Sequence, residues 1–468
     1  MTPLKFPPQV FITLWLCFLV SSFKVHGQCF TTGADLSYVN SIITNGGQYA
    51  DEGGNTIEPF TYFAERGAEM VRLRLWHTPE NLTDNCGGMI TNSNLSDVLA
   101  ASQLAMSNDM DLNIAIHYGD HFNDPGWQLR PAAWAGLDHT SLLDSIYNYT
   151  YAVLEAFRQQ STIPAIIGVG NETTWGFIDN TTPTNGWTWP EDADKFNIAF
   201  DAIDHFNNEY DLAIKKAIHL TEGSAAWATG LFASNGIINY DVIGISYYPN
   251  FSPDTEIQDI GNLVNQLVAD YSKEVMIFET GFVWFVNGFS DNYTNFMNDN
   301  GNVISYPASP QGQKDFLLDL AETVHANGGS GVLYWEPGWI TSDLCTLWGQ
   351  GSSYENVTFF DFDNNNSALP AFDFFDFCGV VSNEEVSAIE PLVIFPNPVI
   401  DHRVNVQSDQ SITHWRLFSL SGNVLEIGSL DPFQVEQTIT FKGDHHGIFI
   451  LELSNEDKLI ERDKVLFY

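Results

Sequence analysis

The chain has 468 residues with an apolar share of 44%, enough for the core of one large domain and a small one, which excludes a disordered protein. Its 18 Lys+Arg stand against 59 Asp+Glu, a formal charge of -41, and a surface this acidic repels phosphate backbones and anionic lipid heads. Nucleic acid is thereby excluded as a partner, whereas a neutral polymer is indifferent to the charge.

Residues 1–27 carry Lys5, the apolar run VFITLWLCFLV from Val10 to Val20, and Val25-His26-Gly27 as a small-residue cleavage pattern. They predict a secretory signal that leaves Gln28 as the mature start. The run is short for a bilayer, and no later segment approaches ~20 uninterrupted apolar residues, so no stable membrane span is expected. Strand-like apolar runs then recur: GADLS near Asp35, MVRLRLW (70–76), LNIAIHY (112–118), AIIGVGNE (165–172), KAIHLTEG (216–223), DVIGISYY (241–248), EVMIFET (274–280) and GVLYWEP (331–337). Between them lie segments with apolar residues at helix spacing, among them IEPFTYFAERGA, SDVLAASQLAMSND and QGQKDFLLDLAETVHANG. Eight such alternations over 28–379 predict an α/β fold, a (β/α)8 TIM barrel. A doubly wound open sheet is the rival, but no GxGxxG turn follows the first strand.

The composition changes after Val380. SNEEVSAIEP is read as an acidic linker within 380–391, and 392–468 alternates polar and apolar residues in short runs such as HRVNVQ and GIFILELS. That predicts a small all-β, sandwich-like domain with no catalytic constellation of its own. Of the five cysteines, Cys17 leaves with the signal. An even remainder in an exported chain predicts disulfides, with Cys29 pairing Cys86 and Cys345 pairing Cys378 because each pair lies within one end of the domain. Free buried thiols are the alternative.

Two acids carry the chemistry. Asn171-Glu172 closes AIIGVG and Glu279-Thr280 closes VMIF, so both glutamates fall at the ends of the fourth and seventh strands, where a barrel presents its residues to substrate. Taken singly, each is an ordinary strand-end carboxylate; together they match a retaining glycosidase, in which one carboxyl protonates the leaving oxygen and the other, ~5–5.5 Å away, attacks the anomeric carbon. Glu172 is assigned acid/base and Glu279 nucleophile. The amide of Asn171 is suited to a sugar 2-hydroxyl. Arg72, Arg74 and Trp76 share one face of a strand; an arginine there needs a carboxylate, with Glu279 as the functional partner and Asp35 or Glu222 as the structural ones. Tyr247 or Tyr248 is expected to hydrogen-bond Glu279, with Tyr247 preferred.

His117, Asp120 and His121 lie together in a loop-like stretch, which suits hydrogen bonds to sugar hydroxyls better than a helical zinc site. No metal and no cofactor are expected; the Asp361-Phe-Asp363 run resembles a calcium loop only loosely. Trp127, Trp134, Trp175, Trp187, Trp189, Trp284, Trp335 and Trp339 follow predicted strands, and flat indoles suit the apolar faces of pyranose rings. Trp335 is the expected floor beside the scissile bond.

GADLSYV, VRLRLWHTP, HYGDHFNDPGWQ with PAAW, VGNE, DVIGISYYP, FETGF and GVLYWEPGWI, in this order, resemble the strand-end motifs of glycoside hydrolase family 53, the endo-β-1,4-galactanases. The resemblance covers roughly Gly33 to Phe374. It implies a TIM barrel of the large retaining clan, the same roles for Glu172 and Glu279, and internal cleavage of β-1,4-galactan, the side chain of type I arabinogalactan in pectin. Two departures bear on specificity: NFSPDTE after DVIGISYYP, and TTWGFIDNTTPTNGWT after VGNE, which adds Trp175 and Trp187. Related barrels on mannan, xylan or glucan, or a non-catalytic glycan-binding protein, are the competing readings. IFPNPVIDHRVNV, SGNVL and GIFILELSNEDKLIERDKVLFY resemble the C-terminal sorting domain of the bacterial type IX secretion system. That implies export machinery as a partner and a secreted or cell-surface location; a monomer is expected.

Overall fold

The computed structural model describes residues 30–180, 186–252, 255–286, 306–377, 393–407, 412–419, 424–431, 434, 436–443, 445–455 and 458–467. The predicted signal, the linker, Cys29 and Cys378 lie outside them. The chain divides into two compact units, 1–378 and 379–468.

In the first unit eight parallel strands close a barrel: β1 (Thr31–Asp35), β2 (Met70–Leu75), β3 (Asp111–Ile116), β4 (Ile166–Val169), β5 (Lys215–Thr221), β6 (Val242–Tyr247), β7 (Glu274–Thr280) and β8 (Gly331–Tyr334). Each strand pairs with its sequence neighbours, and β1 pairs with β8. All eight predicted runs are barrel strands. Side chains alternate between lumen and helix layer. On β2 the residues Val71, Leu73 and Leu75 join the main core against the helices, while Met70, Arg72 and Arg74 take the opposite face.

The helices form from amphipathic spacing and side-chain caps. The segment His139–Gln159 buries Leu142, Ile146, Thr150, Val153, Leu154 and Phe157, and Asp138 accepts from Ser141 N–H at 2.8 Å to start it. The lower lumen is closed by Met70, Ile166, Ala217, Val242, Met276, Phe278 and Leu333. That apolar plug leaves the polar residues to the other end.

One disulfide is described, and it corrects the expected pairing: Cys86 is bonded to Cys345. Proximity along the chain misled, because the loops after β2 and β8 flank the same strand, β1, in the closed ring. The Asn85 N–H bond to Thr346 O, 3.0 Å, joins the same two loops.

The second unit is all-β as predicted. Seven strands from Val393–Ile400 to Lys458–Phe467 form one sheet, with Val404, Val406, Trp415, Leu417, Ile439, Phe441, Leu451, Leu453 and Val465 in a core of their own. Val393–Ile400 bridges two groups of strands, pairing antiparallel with Arg403–Gln407 and parallel with Lys458–Phe467.

Candidate active site

At the carboxyl ends of the strands the lumen changes from apolar to charged. Arg72 and Arg74 are 0% and 1% exposed, and guanidinium groups that deep must be paired. Arg72 Nη1 lies 2.9 Å from both Asp35 Oδ2 and Glu279 Oε1, and Nη2 donates to Asn171 Oδ1 at 2.7 Å. The functional and structural partners weighed for this arginine are thus both present. Arg74 instead pairs with Glu336 and stands 3.7 Å from Asp35, with its guanidinium against the rings of Tyr38 and Phe122. Glu336 had no sequence signal beyond its place in YWEP. Burial raises its pKa to about 8 even with Arg74 acting the other way.

Glu279 owes its direction to a β-bulge. On β7, Val275 and Ile277 face the helix layer and Met276 and Phe278 the lumen, so strict alternation would turn Glu279 outward. The β6–β7 register shifts there: Ile245 pairs with Ile277, but Ser246 pairs with Glu279. The extra residue re-aims the carboxylate into the lumen beside Ser246. Gly244 makes room for this, since a Cβ on it would meet the Phe278 ring at 2.1 Å.

The same parity corrects the tyrosine. Ile243, Ile245 and Tyr247 face the helices, and Tyr247 donates to Thr255 O. Tyr248 turns inward and donates to Glu279 Oε2 at 2.9 Å.

Glu172 is placed by an unusual turn. Gly170 has φ 81° and Glu172 itself φ 47°, a left-handed conformation that non-glycine residues adopt mainly where surrounding structure enforces it. Asn171 between them is held on all sides: Oδ1 accepts from Arg72 and from His219 Nδ1 at 3.0 Å, and Nδ2 donates to Asn123 O at 2.8 Å. His219, kept neutral by burial and then by the Arg72 charge, takes a hydrogen bond from Ser246 at Nε2. Neither His219 nor Ser246 was singled out from sequence, though both fall on lumen-facing positions of β5 and β6.

Both glutamates line one cavity of about 500 Å³, with Arg72, Arg74, His117, Asn171, Tyr248 and Trp335 among its walls. Their electrostatics differ. Burial and then the negative charge of Glu279 raise the pKa of Glu172 to about 8, and no cation is paired with it among the described residues. Burial also raises Glu279, but the Arg72 charge and the Tyr248 hydrogen bond oppose the rise. One proton shared between them therefore belongs on Glu172 and the negative charge on Glu279.

His117 faces the cavity as predicted. Its Nδ1 accepts from Asn123 N–H at 3.0 Å, and burial, then Arg72 and Arg74, hold it neutral. The proton is then on Nε2, which is buried without a hydrogen-bond partner, a donor left for a ligand hydroxyl. Trp335 lines the floor, edge-on to Tyr354 at 4.6 Å, while Phe122 stacks on Trp348 at 4.8 Å.

Three predicted contact residues lie elsewhere, and Asp35 takes the structural role weighed for it. Asp35 is a buried partner of Arg72 and Ser37, behind the cavity wall. Asp120 accepts from the backbone N–H groups of Thr78 and Ala132, stapling two loops. Trp76 packs against Phe122, and Trp339 is fully buried against Tyr38 and Tyr354. Of the eight tryptophans, only Trp335 lines the cavity among the described residues. The others lie outside this cavity's walls, because following a strand does not fix which way a loop side chain turns. His121 accepts from the Trp127 indole at Nε2, and Asp361 accepts from Asp363 N–H as a turn cap. The metal-like grouping found among the described residues, Asp84 with Cys86 and Cys345, has both sulfurs in the disulfide.

The model of glycosyl hydrolase family 53 matches residues 31–375, the whole barrel. The chain belongs to that family. An arabinogalactan endo-beta-1,4-galactanase of Cellvibrio japonicus (strain Ueda107) is 37% identical over 350 residues, 74% of this chain and 90% of that protein. An endo-beta-1,4-galactanase of Bacillus subtilis (strain 168) is 31% identical over 68% of this chain and 72% of its own length. Among solved structures, an Ignisphaera aggregans GH53 catalytic domain superposes with a TM-score of 0.67 at 29% identity, covering 75% of this chain and 96% of that one. Family membership makes this chain a glycoside hydrolase, and the β-rich second unit lies beyond the family match.

Proposed function

We propose that this family 53 chain is an exported endo-β-1,4-galactanase that cleaves galactan, the side chain of type I arabinogalactan, by a retaining mechanism. The observation that carries the reading is the pair of glutamates lining one cavity in opposite electrostatic settings; the names of the relatives supply the sugar. Glu279, kept anionic by Arg72 and Tyr248, attacks the anomeric carbon as the glycosidic C–O bond breaks, and Glu172 gives its proton to the departing oxygen. The glycosyl ester is then hydrolysed: Glu172, now a carboxylate, takes a proton from water, whose oxygen bonds the anomeric carbon and frees Glu279. Asn171 and His117 supply N–H donors to ring hydroxyls, and Trp335 a flat floor. None of these steps calls on a cofactor.

Export is supported by the apolar leader in 1–27 and by the Cys86–Cys345 disulfide, a bond of oxidising compartments. The all-β unit is read as the type IX sorting domain on the strength of its PNP and terminal-strand motifs. Digestion of linear galactan, mannan, xylan and β-glucan, with anomeric configuration followed by NMR, tests the catalytic reading. Internal release of β-configured galacto-oligosaccharides is expected; an α-configured first product or a preference for another polymer overturns it.

A further inference from the structure

The loop that carries Glu172 also carries one member of an aromatic pair, Trp175 with Trp227, that the two-carboxylate chemistry leaves unused. Trp175 and Trp227 are 51% and 40% exposed, and their rings lie 4.9 Å apart at 38°. Exposed single tryptophans are ordinary, but two indoles holding each other in solvent present a rigid apolar face with few rotamers to lose on binding.

Their position ties them to the cleft. Trp175 lies in the same loop as the acid, shortly after it, and its neighbour Thr174 is bonded through Oγ1 to Ser224 Oγ at 3.0 Å. Trp227 lies on the helix Glu222–Ser234, which opens directly from β5 at the barrel mouth. Its indole N–H donates to Gly223 O at 3.2 Å, folding the ring back over the first helical turn, towards Thr221 and Glu222, which line the cavity. A Cβ on Gly223 would meet nothing within 4 Å, so that turn faces open space.

We infer that Trp175 and Trp227 form a platform for a pyranose unit on the leaving-group side of the cleaved bond. The acid must face the departing oxygen, so a surface begun by Trp175 on the acid's own loop and completed by Trp227 meets the sugars that leave with it. The aromatics Trp335, Trp348 and Phe122 come from other loops and serve the cavity floor. A β-linked pyranose presents an apolar C–H face that an indole covers while its hydroxyl rim stays in water. This rests on the galactanase reading above and adds which side of the bond the chain itself grips.

The full chain and its Trp175→Ala, Trp227→Ala and Trp227→Phe variants are compared on linear galactan and on nitrophenyl β-1,4-galactobioside, whose leaving group carries no sugar. For each alanine variant the loss in kcat/KM on the polymer is expected to exceed the loss on the aryl substrate by about five- to tenfold, mostly through KM. Trp227→Phe recovers most of it. Equal losses on both substrates, or no loss on either, overturn the platform while leaving the galactanase reading intact; a wild-type chain that cleaves neither substrate overturns both.

Discussion

The two ends of the barrel lumen are built from the same strands yet obey opposite rules. Below, Met70, Ile166, Ala217, Val242, Met276, Phe278 and Leu333 pack as one apolar cluster; above, the lumen-facing positions include Arg72, Arg74, His117, His219, Ser246 and Glu279. The lower layer stabilises by removing apolar area from water. The upper layer costs stability, offset by ion pairs that share three carboxylates between two arginines, and returns a cavity with one acid kept protonated and one kept charged. The lesson is that conservative packing and catalytic polarity can be separated by a single step of the pleat.

The sharpest way to break this contrast is at the two acids. Glu279→Gln should remove more than ~10⁴-fold of turnover and Glu172→Gln ~10²–10⁴-fold, with galactan retention on an affinity gel nearly unchanged. An active double variant would sink the assignment. At the other end, Leu333→Ala should cost ~2–5 kcal/mol of stability in urea melts while kcat stays near wild type, because no catalytic group touches that layer.

Gly244→Ala tests the join between the layers. Its new methyl meets the Phe278 ring, and overpacking of this kind costs ~1–3 kcal/mol. Because Phe278 shares the bulge with Glu279, kcat should fall as well, by about 10²-fold for a displacement near 1 Å. A variant that loses stability but keeps kcat would show that the bulge does not aim the nucleophile.

The smallest effects concern protons. The raised pKa of Glu172 places the basic limb of the pH–rate profile near about 8, and Glu279→Gln, by removing the second cause of the rise, should lower the Glu172 pKa seen in a ¹³C NMR titration. For stability the sign is fixed by linkage: a folded-state pKa above the unfolded one contributes stability that is complete below the unfolded value of ~4.3 and is lost as pH rises through the folded value. Glu172→Gln should therefore gain Tm relative to wild type as pH climbs from about 4.5 to 8, measured by scanning calorimetry. A constant difference across that window would contradict the burial argument.

Much of this was legible in the chain. Eight apolar runs with helical spacers gave the barrel because each run has to be buried on both faces, and VGNE and FETGF marked the acids because they follow such runs directly. Arg72 and Arg74 were recognisable because arginines alternating with Val71, Leu73 and Leu75 can only face a lumen that supplies acids. Applied to β6, the same parity points Ile243, Ile245 and Tyr247 outward and favours Tyr248; that signal was present and underused. Glu336, His219 and Ser246 were less visible, since single polar residues at strand ends take their meaning from what stands opposite.

By itself, then, the order of residues determined periodicity, and periodicity determined which segments become strands, which become helices and where the two glutamates fall along the chain. Only the closed ring decided that the loops bearing Cys86 and Cys345 are neighbours, that Asp120 staples a loop and that Trp339 is buried. Only a register shift between β6 and β7 turned Glu279 inward. The physical reason is that hydrophobic spacing is local, whereas barrel closure, bulges and ion pairs depend on residues brought together from distant strands.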